Sequence, residues 1–353
     1  MYADCPAGVE RRDSENQITP SQPPPQGGGE RNFELEQIRD IARLVRWSNL
    51  LFLAALVWLM EKWVAVPVLD AAAFGEQLPW YTLTLLTLAT VLIAAGGYVI
   101  NDYFDVKIDR INRPDELVVT RTVTKQAAMT LSLVLSGGGI ACGLAVAVLL
   151  RSIAMGMLFI LVPGLLWFYS SSYKRLFLVG NLIISLLAGL TPLLVAMANV
   201  SQLRLRFASI LPYTTLTHDL YAWLGGFALF AFLLTWIREI VKDMQDQTGD
   251  REYECHSMPV VWGEKKTKVF VTALALLTVA VIGHLWYHVL PFPVSWMSLS
   301  TRYIFFGIIV PLLCSLWLLW AAKIPSDYKA CQQLVKFTML LGMLYSFCIV
   351  RGL

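Results

Sequence analysis

Two stretches of the sequence carry carboxylate side chains at helical spacing, each directly after a long apolar run. In the first stretch, Asn101, Asp105 and Asp109 are four residues apart, and Asp102 lies three residues before Asp105. Residues three or four apart share one face of an α-helix, so these side chains form a stripe if the apolar helix continues through them. Adjacent carboxylates repel one another, and a helix C-terminus disfavours anions further. We therefore expect a bound cation to offset the charge of this stripe.

The second stretch repeats the pattern at Glu239, Asp243, Asp246 and Asp250. Their spacing of four, three and four again keeps the acids on a single helical face. Gly249 is expected to let the backbone leave the helix just before Asp250. The chain thus predicts two separate acidic stripes at the ends of two helices.

Basic side chains accompany both stripes, among them Arg113, Arg238 and Lys242. Carboxylates at this density suit Mg²⁺, which keeps several waters and completes its coordination with substrate phosphates. Carboxylates that hold the metal and cations that neutralise the phosphates together make a diphosphate site. Such a site would stabilise the leaving group of an allylic diphosphate, whose carbocation needs an anhydrous, aromatic-lined cavity. The alternative is a pair of solvated acidic loops, although a random loop seldom keeps one face through four positions, twice.

The rest of the chain is strongly apolar. Of its 353 residues, 57% are hydrophobic and 15% charged, whereas a soluble domain carries about a quarter charged residues. This composition predicts an integral membrane protein. The net charge of +3 gives no support for a nucleic-acid partner. Residues 1–37 are polar and rich in Pro and Gly, which predicts a disordered tail, and residues 38–353 form the predicted membrane domain.

A bilayer core of about 30 Å needs roughly 20 apolar residues per helix. Applied to this chain, that length predicts an all-α fold of nine transmembrane helices around a central cavity. A tight turn is expected at Arg151, because a charge deep in the bilayer is costly. The predicted spans are Leu44–Val64, Tyr81–Ile100, Ala127–Leu149, Ile153–Tyr173, Leu178–Val200, Leu220–Val241, Val269–Leu290, Tyr303–Ala322 and Leu334–Val350.

Basic residues concentrate in the loops after spans two, four, six and eight. The positive-inside rule therefore places these loops and the N-terminus in the cytoplasm and the C-terminus outside. Because four spans separate the two acidic stretches, both must emerge on the same side of the membrane. We thus expect the two stripes to face each other at the cytoplasmic boundary.

At these residues the sequence resembles the UbiA superfamily of intramembrane prenyltransferases. The family pattern is NDxxDxxxD after the second helix and DxxxD after the sixth, and both are complete here, from Asn101 to Asp109 and from Asp246 to Asp250. The first span also opens with the similar motif R-x-x-N, at Arg46. The stretch YSSSYKRLFLVGNL resembles the family's Tyr/Lys-then-Gly-Asn element. The first loop departs from the pattern N-R-P-x-R-P: its second Arg-Pro is missing, and Arg121 and Lys125 are the candidates to replace it.

The resemblance implies a role for each matching residue. The implied metal ligands are Asn101, Asp102, Asp105, Asp109, Asp243, Asp246 and Asp250. The implied phosphate-binding cations are Lys174, Arg113, Arg238 and Lys242. Further substrate-binding residues are Arg46, Asn49, Arg121, Tyr169, Tyr173 and Asn181; for the two tyrosines an interface anchor is the alternative. The catalytic set comprises Asp102, Asp105, Asp246 and Lys174.

By the same resemblance, the chain is a Mg²⁺-dependent prenyltransferase with an isoprenyl diphosphate donor and a hydrophobic or aromatic acceptor. The segment REIVKDMQDQTGD is closer to the branch that prenylates glycerol-phosphate lipids, a geranylgeranylglycerol-phosphate geranylgeranyltransferase-like activity. Prenylation of 4-hydroxybenzoate or dihydroxynaphthoate in quinone biosynthesis is the alternative. A membrane transporter is an alternative of another class, but it predicts ionisable residues at mid-membrane depth, whereas these acids cluster at helix ends.

Overall fold

The computed structural model describes residues 37–288 and 292–352, with side chains as far as Val350. The predicted disordered tail, apart from its last residue, lies outside the described residues. Within the described part the backbone is helical, joined by turns and by one isolated bridge between Val119 and Val123. Apolar segments in a bilayer must satisfy their backbone polar groups internally, and a helix does so within one segment. The predicted all-α class is confirmed.

Nine helices in the described ranges are long and apolar enough to cross a membrane, as the sequence predicts. We number them α1 to α9 in chain order. Their bounds are α1 Trp47–Ala71, α2 Trp80–Asn112, α3 Lys125–Leu149, α4 Ile153–Ser171, α5 Val179–Phe207, α6 Leu216–Glu252, α7 Glu264–His288, α8 Leu299–Ala321 and α9 Pro325–Val350.

The largest differences from the predicted spans occur at polar helix ends. The α2 helix continues from the predicted end at Ile100 to Asn112, and α6 continues from Val241 to Glu252. Both acidic stretches are therefore helical extensions rather than loops. The α9 helix begins at Pro325, where the Asp327 carboxylate accepts hydrogen bonds from two backbone N–H groups. Hydropathy alone does not detect these polar helical turns, because it identifies the apolar segment within the bilayer and not the ends of the helix.

The turn between α3 and α4 lies where the sequence predicts it. Arg151 adopts a left-handed backbone conformation with φ of 46°, and α3 ends two residues before it. Ser152 then caps α4, its hydroxyl oxygen accepting a hydrogen bond from the Met155 N–H. Arg151 is exposed, so its charge avoids the burial that would make it costly.

The acid-bearing helices lie inside the bundle. The α2 helix packs against α3 and α4, while α6 packs against α5, α7 and α9, and α2 and α6 contact each other directly. Their inward faces contribute large buried side chains, including Leu83, Leu86, Leu234 and Ile237. This packing fixes the two helices along their apolar length and brings their acidic ends together.

One buried carboxyl group lies along α1, away from the acidic ends of α2 and α6. Glu61 is fully buried within a π-helical segment, Met60–Ala65. One oxygen accepts a hydrogen bond of 2.6 Å from the Asn199 side chain, and the other accepts one of 3.3 Å from the Leu78 N–H. A buried polar group without such partners would be costly. These two hydrogen bonds therefore connect α1 to α5 and to the segment between α1 and α2.

Candidate active site

The acidic end of α2 carries its stripe on one continuous helix. Asn101 and Asp105 are buried neighbours one turn apart, and the Asn101 amide donates a 2.7 Å hydrogen bond to Asp105. Asp102 and Asp109 lie on the same helix, and Asp109 interacts electrostatically with Asp246 of α6. The two stripes therefore face each other, as the sequence predicts.

Two cations neutralise the α2 stripe from outside its helix. Arg46 donates a 2.8 Å hydrogen bond to Asp102, and its guanidinium lies 4.8 Å from the ring centroid of Tyr98. Lys174 forms an ion pair with Asp105. A half-buried carboxylate with a basic partner is stabilised in its charged form. Arg46 lies directly before α1, in a left-handed conformation with φ of 54°.

Lys174 belongs to a short 3₁₀ turn, Tyr173–Arg175, between α4 and α5. Gly180 packs against this turn, and an added Cβ there would lie 2.7 Å from the Lys174 Cα. Burial, followed by the positive charge of nearby Lys242, lowers the pKa of Lys174 to about 7. Keeping this ammonium charged costs desolvation energy, so a second anion beside it would be favourable. The glycine of the Gly-Asn element thus positions the lysine.

Two acids of the α6 stripe accept hydrogen bonds from neutral donors. The Asn181 amide donates to Asp243 at 2.8 Å, and the Ser257 hydroxyl donates to Asp250 at 2.7 Å. The expectation that the helix ends at Gly249 is wrong, because α6 continues helically to Glu252. Asp250 therefore lies on the same helix as the other acids of this stripe.

Asn112, the last residue of α2, joins the two acidic helices. Its side-chain oxygen accepts a 2.9 Å hydrogen bond from the Gly249 N–H, and its amide donates to the Asp246 carbonyl at 3.0 Å. An added Cβ at Gly249 would lie 2.6 Å from the Asn112 side chain. Gly249 therefore allows close approach of α2 and α6 instead of ending α6. The next residue, Arg113, forms an ion pair with Asp246.

The remaining cations of α6 lie one turn apart. Arg238 forms an ion pair with its neighbour Glu239, which is buried. Lys242 interacts electrostatically with Glu239, Asp243 and Asp250. Arg238 also keeps a buried Nε without a hydrogen-bond partner in the described part of the chain, as does Arg113. An unpaired buried donor is costly, so both arginines suit an anionic ligand.

The structure separates the two tyrosines that are predicted substrate contacts. Tyr169 interacts electrostatically with the Glu239 and Asp243 side chains and with Arg46, so it lies beside the acids. Tyr173 instead contacts Phe168, which is exposed, with ring centroids 6.2 Å apart. That contact favours the interface-anchor alternative for Tyr173.

Arg121 is not brought to the acids. It is exposed in the turn between α2 and α3, and within the described ranges no ion pair joins it to either stripe. Its backbone N–H instead donates to the Val118 carbonyl. The expectation that Arg121 replaces the missing Arg-Pro is therefore not supported by its position.

The donor chemistry of the stripes fits Mg²⁺. As the side chains stand, no three His, Cys, Asp or Glu residues of the described chain converge on one point that could hold a metal. Mg²⁺ is usually bound through one or two protein carboxylates, with waters and substrate phosphates completing its shell. Facing carboxylates such as Asp102 and Asp246 meet that requirement when a diphosphate supplies the other oxygens.

Sequence reasoning missed three contacts at this site. Asn112 begins the N-R-P motif, but the sequence assigns it no partner. Ser257 lies beyond the second acidic stretch, and Lys336 lies within an otherwise apolar span. The Lys336 ammonium donates a 2.6 Å hydrogen bond to the Asn49 side chain. A lysine inside a predicted span is itself a detectable signal, because such a charge usually faces the protein interior.

Comparison with known proteins gives the family. The sequence model of the UbiA prenyltransferase family matches residues 63–344. The digeranylgeranylglyceryl phosphate synthase of Methanosphaera stadtmanae is 30% identical over 210 residues, which are 59% of this chain and 68% of that protein. The same enzyme of Thermococcus sibiricus is 32% identical over 203 residues, which are 56% of this chain and 63% of that protein.

Solved structures give the same fold. The UbiA homologue of Aeropyrum pernix K1 superposes with a TM-score of 0.58 at 16% identity, covering 82% of this chain and 96% of that one. The UbiA homologue of Archaeoglobus fulgidus bound to DMAPP and Mg²⁺ gives a TM-score of 0.53 at 15% identity, covering 89% and 100%. Together with the match over residues 63–344, the nine apolar helices identify this chain as an integral membrane enzyme that belongs to the UbiA prenyltransferase family.

Proposed function

We propose that this enzyme transfers an isoprenyl group from an isoprenyl diphosphate to the hydroxyl group of a glycerol-phosphate lipid. The observation that carries the proposal is the pair of facing acidic stripes on α2 and α6. Lys174 forms an ion pair with Asp105 of α2, and Arg113 forms one with Asp246 of α6. The relatives that are named digeranylgeranylglyceryl phosphate synthases support the class of acceptor.

The donor's diphosphate would lie between the stripes. Mg²⁺ would be held by Asn101, Asp102, Asp105 and Asp109 of α2 and by Asp243, Asp246 and Asp250 of α6; when bound, it supplies positive charge to the departing diphosphate. Lys174, Arg113 and Lys242 would neutralise the phosphate oxygens that remain. Preorganised cations lower the barrier because they are already aimed at the charge that develops on the leaving group.

The isoprenyl chain would extend from this site into the apolar bundle. The C–O bond of the donor breaks with its electron pair leaving on the diphosphate, and an oxygen lone pair of the acceptor forms the new C–O bond as its proton departs. Tyr169 lies beside the acids, and its ring face suits the developing allylic cation. Exclusion of water by the surrounding helices would prevent capture of that cation by hydrolysis.

We also propose that the acidic ends of α2 and α6 face the cytoplasm. The loops after α2, α4, α6 and α8, together with the polar helix ends that flank them, hold most of the chain's basic residues outside the tail, and the positive-inside rule places such segments in the cytoplasm. Tagging the loop between α2 and α3, and separately the loop between α1 and α2, with a membrane-impermeant label in sealed vesicles tests this orientation.

Prenyl transfer by the full chain in lipid is the deciding assay, with Mg²⁺ and labelled geranylgeranyl diphosphate. Geranylgeranylglyceryl phosphate, 4-hydroxybenzoate and 1,4-dihydroxy-2-naphthoate are offered separately. A Mg²⁺-dependent product with only the first acceptor is expected. A product with only an aromatic acid would contradict the acceptor class, and failure to bind the diphosphate would contradict the donor site. Asp115→Ala, an exposed acid near the end of α2, is the matched control and should retain full activity.

A further inference from the structure

Lys336 ends a row of polar side chains on α9. Tyr328, Gln332 and Lys336 are spaced four residues apart, so they share one helical face. Tyr328 donates a 2.7 Å hydrogen bond to Glu264 of α7, and Gln332 donates one of 2.7 Å to Gln245 of α6. Polar side chains within a membrane helix almost always face the protein interior. Lys336 therefore points from α9 toward the other helices rather than toward lipid.

The charge of Lys336 has no acidic partner in the described part of the chain. Its ammonium donates a 2.6 Å hydrogen bond to the side-chain oxygen of Asn49, which is a neutral acceptor. Lys336 lies eleven residues into α9, about 16 Å along the helix axis from Pro325. A partly buried cation at that depth is costly when only a neutral group accepts from it. An additional anion beside Lys336 would remove this cost.

A second cation lies near Lys336. Arg238 of α6 is the charged residue with which Lys336 interacts electrostatically, and the two positive charges repel. Arg238 directs one terminal nitrogen to Glu239, but its buried Nε has no hydrogen-bond partner in the described residues. The positive charges of Lys336 and Arg238 are thus close together. Lys336 has a neutral partner, and Arg238 has a buried N–H group without a hydrogen-bond partner in the described residues. This arrangement fits an anion that accepts from both.

These two cations differ from those that serve the donor. Lys174 and Arg113 are each ion-paired with an aspartate of the acidic stripes, where a metal-bound diphosphate would lie. In the described part of the chain Lys336 forms no ion pair with either stripe, and Arg238 pairs with Glu239, the first acid of the α6 stripe, instead of an aspartate. The α1, α6 and α9 helices therefore hold a group of polar side chains beside, but separate from, the facing aspartates.

We propose that Lys336, Arg238 and Asn49 form a binding site for the phosphate monoester of the acceptor lipid. This inference rests on the proposed function, because it names the part of the acceptor that the site would hold. A phosphate monoester carries about −1.5 to −2 charges at neutral pH and so balances two cations, whereas a carboxylate carries one. The sequence-based assignment of Arg238 to the donor's diphosphate is thereby replaced.

The test compares Lys336→Met with the unaltered enzyme in lipid. Lys329→Met is the matched control, because Lys329 is an exposed residue of the same helix that pairs with Glu116. We expect Lys336→Met to raise KM for geranylgeranylglyceryl phosphate at least about 10-fold, the range for loss of a charge-assisted hydrogen bond. KM for geranylgeranyl diphosphate should change less than about twofold. Lys336→Arg should restore acceptor KM, and Lys329→Met should change neither constant.

Geranylgeranylglycerol, which lacks the phosphate, distinguishes loss of phosphate binding from a general loss of acceptor binding when KM changes. Its transfer should be equally slow with the unaltered enzyme and with Lys336→Met. Equal rises in donor and acceptor KM, or an unchanged acceptor KM, would overturn the proposed subsite.

Direct binding distinguishes failure of the subsite from failure of the proposed function. Geranylgeranylglyceryl phosphate is added, without donor, to the unaltered enzyme and to Lys336→Met, both in lipid. Its binding to each protein is measured. Lys336-dependent binding without any transfer would contradict the proposed function and leave the subsite standing. Transfer that proceeds with Lys336-independent binding would overturn the subsite alone.

Discussion

The two acidic helices hold their carboxylates in different ways. On α2, Asp102 and Asp105 are each paired with a cation, Arg46 and Lys174 respectively. On α6, Asp243 and Asp250 accept hydrogen bonds from neutral groups, an asparagine amide and a serine hydroxyl. The other two acids of that stripe form ion pairs, Asp246 with Arg113 and Glu239 with Arg238. Two acids of α2 therefore have cationic partners, whereas the α6 stripe is divided between acids with cationic partners and acids with neutral donors.

This difference indicates how the site would accept its ligands. We infer that an arriving diphosphate takes the hydrogen bonds of Arg46 and Lys174, which releases Asp102 and Asp105 for metal. Asp243 and Asp250 need no such exchange, because their neutral donors leave carboxylate lone pairs available. The α2 acids would then be released by the phosphates, whereas Asp243 and Asp250 could bind metal without such an exchange.

The largest effect is expected from removing one acid of either stripe. Asp102→Ala and Asp246→Ala should each reduce prenyl transfer on the order of 10³-fold, because charge stabilisation of the leaving group is lost. Turnover of labelled geranylgeranyl diphosphate measures the loss, and thermal unfolding checks that the bundle remains intact. Near-normal activity in either variant would break the comparison by showing that one stripe is dispensable.

A smaller effect is expected from the partners of the acids, and it should differ between helices. Lys174→Met should lower transfer about 10²-fold and raise KM for the diphosphate, because a cation is lost from the leaving-group site. Asn181→Ala should lower transfer only about 10-fold, as is usual for a group that orients a ligand. Steady-state kinetics of both variants measure the ratio. Equal losses would contradict the proposed exchange at α2.

The contact between the helix ends should have a still smaller effect. Gly249→Ala places a Cβ against the Asn112 side chain and should cost about 1–3 kcal/mol of stability with a few-fold loss of activity. Asn112→Ala makes room for that methyl group, so Gly249→Ala should be nearly neutral in the Asn112→Ala background. A double-mutant cycle by thermal unfolding measures the coupling. Additive costs would show that the two residues do not act on each other.

The smallest effect on catalysis is expected at the buried carboxyl of α1. Glu61→Gln replaces an oxygen that accepts from Asn199 with an amide that can donate, and should cost about 1–3 kcal/mol of stability. KM for the diphosphate should remain unchanged, because Glu61 contacts neither acidic stripe. Unfolding measurements and donor kinetics on the same preparation separate these effects. A raised donor KM would link Glu61 to the site and broaden the comparison beyond α2 and α6.

The spans and the common face of the acids in each stripe were predictable because strong physical constraints determine the residue types and spacing that each requires. Lipid forces apolar helices of a minimum length, and helical spacing sets the common face of Asp105 and Asp109. The helix ends were less predictable, since α2 and α6 continue past the apolar segment as polar helices. Partner choice was not predictable at all: Asn112 meets Gly249 only because the intervening helices fold back.

Single residues illustrate the same limit. Arg121 and Arg113 are both basic residues of the α2–α3 connection, yet only Arg113 pairs with an acid in the described structure. Sequence distance from a motif does not decide this, because Arg121 is exposed in its turn whereas Arg113 is partly buried beside α6. Lys336 shows the converse, since its contact with Asn49 joins residues 287 positions apart.

The contact between Asn112 and Gly249 also constrains the order in which the chain can be completed during synthesis. These residues are 137 positions apart, so at a rate of 5–20 residues per second α2 waits roughly 7–27 s for α6. Arg46 precedes α2 in the chain and Lys174 follows it well before α6. The α2 acids can therefore find their cations early, and the nascent protein need not carry a bare anionic cluster at the membrane surface. Diphosphate binding would then report that the last half of the bundle has been inserted.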